Sequence, residues 1–183
     1  LVERAKNARA TGGWDGAVCV DGAGEGRDLA KVSSGRLAAF DQSGSGALDG
    51  GAAPCVCYIE LKSGKLLDKV VLDSPLHNTG HLALSGRGDL AVISAPRDGL
   101  PNPNQQLGAL SLRPHGGEVT AVKRPGSVVG RMLGETLSLT ILEDSQTVVA
   151  TNPFGNLVSM WHLIDATFVG KIELTGPRGV CQS

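Results

Sequence analysis

The chain has 183 residues, with 17 basic and 18 acidic side chains, a net charge of −1 and 41% hydrophobic residues. That length is enough for a real core, and the balanced charge gives no electrostatic footprint for nucleic acid or an anionic membrane surface. No apolar run approaches the ~20 residues of a membrane-spanning helix, and an aromatic content of 3% is too small for a stacking platform for sugars or single-stranded nucleic acid.

The 26 glycines are scattered along the chain, so they read as turn punctuation between many short strands. Residues 1–15 form a polar lead-in. Residues 1–9 mix charges and lack the apolar centre of a signal peptide. The chain opens on Leu1 and not on Met, which reads as a processed piece of a longer protein.

From residue 16 onward, short apolar runs alternate with turn residues. A first unit over 16–73 has expected strands at 17–20, 36–41, 55–61 and 66–72, the last two joined by a KSGK turn. A second unit over 80–124 has HLAL at 81–84, a GRGD turn, LAVISA at 90–95, a long loop at 96–106, LGALSLR at 107–113, a PHGG turn and a strand at 119–123. A third over 135–175 has TLSLTIL at 136–142, a turn at 143–146, TVVAT at 147–151, a Pro-Phe-Gly turn, LVSMWH at 157–162 and a last strand at 167–174. RGVC at 178–181 reads as the opening strand of a further unit.

Four strands repeating at roughly 40–57 residues is the spacing of propeller blades. Strands such as TVVAT and LAVISA are apolar almost throughout, as expected where both faces of a sheet are covered. The predicted fold is therefore all-β: a β-propeller of about three four-stranded blades plus the start of another. Propellers typically use ~4–8 blades, so the ring is expected to be larger than this chain, and unclosed blade faces would favour association. A β-sandwich is the rival fold.

CVCYIELKSGKLLDKVVL, HNTGHLALSGRGDLAV, ATNPFGNLVSMW and the closing GVCQ together resemble a family of bacterial periplasmic seven-bladed propellers without an established activity. The resemblance covers residues 55–181, and the first fifty residues match poorly. Members of that family are often encoded beside imelysin-like iron-regulated proteins and carry a twin-arginine export signal. The resemblance thus implies a periplasmic or otherwise exported protein with an iron-linked setting.

Four side chains are the candidate ligand-binding residues. His77 and His81 flank the HNTGH turn before a first strand, where a propeller's central channel would open. An i, i+4 pair on a turn does not guarantee metal geometry, and plain hydrogen bonding of His81 to a loop is the simpler reading. Arg97 and Asp98 head a long loop, and long loops on a rigid scaffold often carry function. The plain reading is a proline-stiffened surface loop.

Other patterns read as structure. Asp41, Ser43, Ser45 and Gly46 have calcium-loop spacing, but position twelve is Ala52 and not a bidentate Glu. Arg87-Gly88-Asp89 fits a hairpin turn better than an adhesion motif, and Trp161 reads as core. Cys19, Cys55, Cys57 and Cys181 allow three disulfide pairings that sequence does not separate. Buried, reduced cysteines are the simpler reading, and Cys55 and Cys57 share a strand face.

No C-x-x-C, C-x-x-C-H, G-x-S-x-G, P-loop or dinucleotide fingerprint occurs. The expected function is an exported binding protein engaging a protein partner or a small ligand at its channel face. The alternative is a metal-dependent, lactonase-like propeller hydrolase, which would need carboxylates on several first strands. Cofactor and metal are not specified by the sequence.

Overall fold

The computed structural model describes residues 16–21, 29–30, 55–60, 66–73, 77, 79–96 and 100–181. These residues are all-β apart from one helical turn, and they form three four-stranded sheets. The first holds β1 (Gly16–Asp21), β2 (Leu29–Ala30), β3 (Cys55–Glu60) and β4 (Leu66–Val71). The second holds β5 (Leu82–Leu84), β6 (Leu90–Ser94), β7 (Ala109–Arg113) and β8 (Thr120–Ala121). Helix α1 (Gly126–Val129) precedes the third, made of β9 (Ser138–Leu142), β10 (Thr147–Asn152), β11 (Leu157–His162) and β12 (Phe168–Glu173).

The second and third sheets are antiparallel meanders in chain order. In the third sheet the turn chemistry explains this, because tight hairpins leave no other pairing, whereas β6 and β7 of the second sheet are joined by the long loop between Ser94 and Ala109. In the third sheet each hairpin turns on a left-handed residue just before the next strand begins or just ahead of it: Gln146, Asn156 and Ala166, at φ 50°, 48° and 58°. The Pro153 carbonyl accepts from the Asn156 amide at 3.2 Å, closing the turn that Pro-Phe-Gly signals in the sequence.

Strand β6 shows how the sheets stack. All five of its residues are buried. Leu90 and Val92 enter one core with Val56, Val70 and Leu72 of the first sheet and its flank. Ala91 and Ile93 enter another with Val148, Leu157 and Trp161 of the third sheet. Successive side chains on a strand point to opposite faces, so a strand buried at every position is sandwiched between two neighbours. Burying one such valine or isoleucine contributes roughly 1.5–3 kcal/mol. Trp161 is fully buried, packs edge-on against Phe168 at 5.3 Å and donates its indole N–H to Ser159 Oγ at 2.9 Å. The first strand of the third sheet, β9, lies beside β5 and β6.

Two expectations need correction. The first sheet is not a meander: its order is β2-β1-β3-β4, and β1 runs parallel to β3 over six paired residues. Between them lie the 33 residues from 22 to 54, and a connection that long does not force antiparallel pairing as a hairpin does. β2 pairs on the far side of β1 instead, and the strand expected at 36–41 lies outside the described residues. Residues 178–181 form no strand. The Arg178 carbonyl accepts from Thr151 Oγ1 at 3.3 Å, and the Val180 amide donates to Ser138 Oγ at 3.2 Å. This segment meets side chains of the third sheet and not a backbone ladder.

The lead-in at 1–15 and the calcium-like run at 41–52 lie outside the described residues. No helix among the described residues is long and apolar enough to cross a membrane.

Candidate functional site

At one end of the second and third sheets, the starts of β5, β7, β9 and β11 meet the finishes of β6 and β10. The segment before β5 is held there by backbone pairing: the Gly80 amide donates to the Ile93 carbonyl at 2.8 Å, and the Ile93 amide donates to the His81 carbonyl at 2.9 Å. A Cβ on Gly80 would stand 2.5 Å from that Ile93 carbonyl oxygen. Only glycine allows the approach.

The structure places the four predicted residues as follows. His77 forms an isolated bridge with Pro96, and its Nε2 lies 2.9 Å from the Leu107 carbonyl oxygen. It therefore ties together the two ends of the loop that leaves β6 and returns to β7. His81 is exposed at the start of β5. Both histidines thus flank the same loop base. Arg97 and Asp98 lie outside the described residues, within that loop.

The rest of the loop is stapled. The Asn102 carbonyl accepts from the amides of Gln105 and Gln106, and Gln106 Oε1 accepts from the Asn102 amide at 3.1 Å. Beyond it, the Gly134 amide donates to the Gln106 carbonyl at 2.7 Å, and the Gly108 amide donates to the Met132 carbonyl at 2.8 Å. The loop of the second sheet is thereby fixed to the segment that leads into the third.

Sequence reasoning missed a buried polar group beneath this loop. Thr79, Ser94, Thr136 and Asn152 are all buried. The Thr136 amide donates to the Ser94 carbonyl at 3.2 Å, and Asn152 Nδ2 donates to Thr136 Oγ1 at 2.9 Å and to the Glu135 carbonyl at 3.3 Å. The Glu135 carbonyl fixes which way the Asn152 amide faces. That leaves Asn152 Oδ1, like Thr79 Oγ1, buried without a hydrogen-bond partner among the described residues. Most buried polar groups of folded proteins are hydrogen-bonded, so these two atoms stand out from the packing around them. The available signal was Asn152 itself, a polar residue closing the apolar run TVVATN.

At the rim of the same end, Glu173 accepts from Arg131 at 2.6 Å and from Lys171 at 2.8 Å. Lys171 and Arg131 hold its carboxyl down to about 2. Arg131 also reaches the Gly155 carbonyl at 3.4 Å. This gives the loop end a fixed cation–carboxylate cluster.

The opposite end is committed to structure. In the Arg87-Gly88-Asp89 turn, the Asp89 carboxylate is buried and accepts from Ser85 Oγ at 2.8 Å and the His115 amide at 2.9 Å, with Arg87 at 3.5 Å. The turn reading of that tripeptide therefore holds. Cys55, Cys57 and Cys181 form no disulfide, and Cys19 sits in register with Tyr58. Among the described residues, no three His, Cys, Asp or Glu side chains converge as a metal site.

No curated protein and no solved structure matches the chain. A family model described as "Protein of unknown function (DUF1513)" does match, and it reaches well upstream of the resemblance read from residue 55. Its match spans residues 13–183, so the chain belongs to the DUF1513 family.

Proposed function

We propose that this chain is part of a β-propeller, with about three blades and the beginning of another, and that it is an exported binding protein. The observation that carries the fold reading is β6, whose alternate residues enter two different cores shared with two different sheets. The antiparallel order of the second and third sheets and the adjacency of β5 and β9 fit first strands gathered around an axis. Export and an iron-linked role rest on the family resemblance in the sequence.

The binding face is the loop end bearing His77, His81, the loop with Arg97 and Asp98, and the buried Thr79–Asn152 group. Its support is the combination of a stapled loop, two histidines at the loop base and two unpartnered buried polar atoms. The hydrolase reading gains no observation of its own, since no cluster of metal-ligating side chains supports it among the described residues.

A paramagnetic NMR titration of the chain with ferric citrate tests the reading. Amide broadening confined to 79–81, 100–108, 134–136 and 152–156 is the expected result. No broadening at saturating ferric citrate, or broadening centred on 85–89 and 143–146, would overturn it.

A further inference from the structure

The second and third sheets carry the same backbone bond ahead of their first strands. The Gly80 amide, before β5, donates to the Ile93 carbonyl at 2.8 Å, and the Leu137 amide, before β9, donates to the Thr151 carbonyl at 2.9 Å. The residues flanking these two bonds therefore correspond: Thr79 to Thr136, and Ser94 to Asn152. The strand faces agree with this. Leu90 and Val92, which alternate with Ser94, enter the core shared with the first sheet. Val148 and Ala150, which alternate with Asn152, enter the core shared with the second. Thr79, Ser94, Thr136 and Asn152 are all buried.

In the third sheet the pair is closed, because Asn152 Nδ2 donates to Thr136 Oγ1 at 2.9 Å. In the second sheet the corresponding residue is Ser94, whose Cα lies 3.7 Å from where a Cβ on Gly80 would stand. Its side chain stops at a hydroxyl, one bond short of an asparagine amide nitrogen. Thr79 Oγ1, the counterpart of the hydroxyl that Asn152 satisfies, is buried without a hydrogen-bond partner. One sheet thus carries the amide that this position is shaped around, and the other does not.

We propose that Thr79 and Ser94 form a binding site for a small uncharged ligand bearing a primary carboxamide, which takes in the second sheet the place that the Asn152 side chain takes in the third. The ligand N–H donates to Thr79 Oγ1, as Asn152 Nδ2 does to Thr136 Oγ1. Leaving a buried hydroxyl unpaired is costly, so a donor reaching it gains more than it would at an exposed surface. An ionised group is disfavoured, because Gly80, Ile93 and Ser94 beside the hydroxyl offer no counter-charge and a buried unpaired ion is costlier still.

This proposal rests on the loop-end reading for where the ligand enters and adds its chemistry. The two can fail separately, since ferric citrate reports on the rim and a carboxamide on Thr79. The test titrates the full chain with acetamide, followed by amide NMR. Saturable shifts at Thr79, Gly80, Ile93 and Ser94 are expected. Acetone, which has the same shape but no N–H, should give none. Affinity for acetamide should fall at least tenfold in Ser94→Asn, which supplies the amide from the chain, and in Thr79→Val, which removes the hydroxyl at nearly constant volume. Ser94→Asn should also raise the thermal midpoint. Thr79→Val and acetone keep the test decisive if the larger side chain at 94 prevents folding. No saturable shift with acetamide, equal shifts with acetone, or full affinity in Thr79→Val would overturn the proposal.

Discussion

The Glu143 carboxylate accepts a 2.8 Å hydrogen bond from the backbone amide of Gly86, a residue 57 positions earlier in the chain. Both stand in the turn between the first and second strands of their sheets, so the bond links equivalent places in consecutive units. A hydrogen bond to a charged acceptor contributes about 1.5–3 kcal/mol when shielded, and less at an exposed turn. Glu143→Ala should therefore lower stability by roughly 1 kcal/mol in urea unfolding, and Glu143→Gln, which keeps an acceptor oxygen, should recover part of it. No change in either variant would mean that the two turns are not coupled.

Asp89 offers a pH-dependent test. Burial pushes its carboxyl pKa up, but the His115 amide, the Ser85 hydroxyl and the Arg87 guanidinium together outweigh burial and hold it below 3.8. A carboxylate whose pKa is depressed on folding contributes stability above its unfolded pKa and loses it as pH falls through the folded value. Asp89→Ala should cost roughly 1–3 kcal/mol near neutral pH, because the His115 amide and the Ser85 hydroxyl lose a buried acceptor. The gap from wild type should narrow below about pH 4. Urea midpoints measured from pH 7 down to pH 3 check this, and a constant gap would contradict it.

The same contrast between local and distant determinants explains what was legible beforehand. The third sheet could be read almost residue by residue, since β11 matches the expected run at 157–162. Each strand there is joined to the next by a tight turn whose residues announce it. The first sheet could not, because its β1–β3 pairing is set across 33 intervening residues. Helix α1 was missed because four residues, GSVV, carry no periodicity. At the candidate site, the sequence suggested that His77 and His81 belong together, but not that His77 would be tied to the Leu107 carbonyl. The orphaned atoms of Thr79 and Asn152 were invisible, because hydrogen-bond satisfaction is a property of the packed structure.

Gly80 is the position where the candidate site depends on a missing side chain. A methyl group there would stand 2.5 Å from the Ile93 carbonyl oxygen, a backbone atom that cannot move aside alone. Gly80→Ala should destabilise by about 1–3 kcal/mol, as overpacking does. It should also raise amide hydrogen exchange at Gly80 and Ile93, whose two hydrogen bonds hold the segment before β5. Unchanged exchange at Ile93 would show that the segment is anchored some other way.

Asp165 tests the last hairpin. The Thr167 hydroxyl and amide, with His162 at 2.8 Å, hold its carboxyl down to about 2. Thr167→Ala removes the hydroxyl, which lies 2.7 Å from the carboxylate, and keeps the amide. The Asp165 pKa should rise part of the way towards 3.8 in a carbon-detected NMR titration. An unshifted midpoint would mean that the hydroxyl does not hold the charge.

The stacked-sheet arrangement makes a claim about energetic coupling, and consecutive residues of one strand can test it. Val92 shares its core with Val56 and Val70 of the first sheet, and its neighbour Ile93 shares another with Leu157 and Val148 of the third. Val92→Ala should cost about 2 kcal/mol through lost burial and the space left behind. Residues in one packed core respond non-additively when altered together, and residues without shared partners add. A double-mutant cycle of Val92→Ala with Val56→Ala should therefore show a coupling of about 0.5 kcal/mol or more. The cycle of Val92→Ala with Leu157→Ala should be additive within about 0.5 kcal/mol, although β6 borders both cores. If Val92 coupled to Leu157 as strongly as to Val56, the two cores would be one. The second sheet would then not divide them, and the blade reading would lose the observation it rests on.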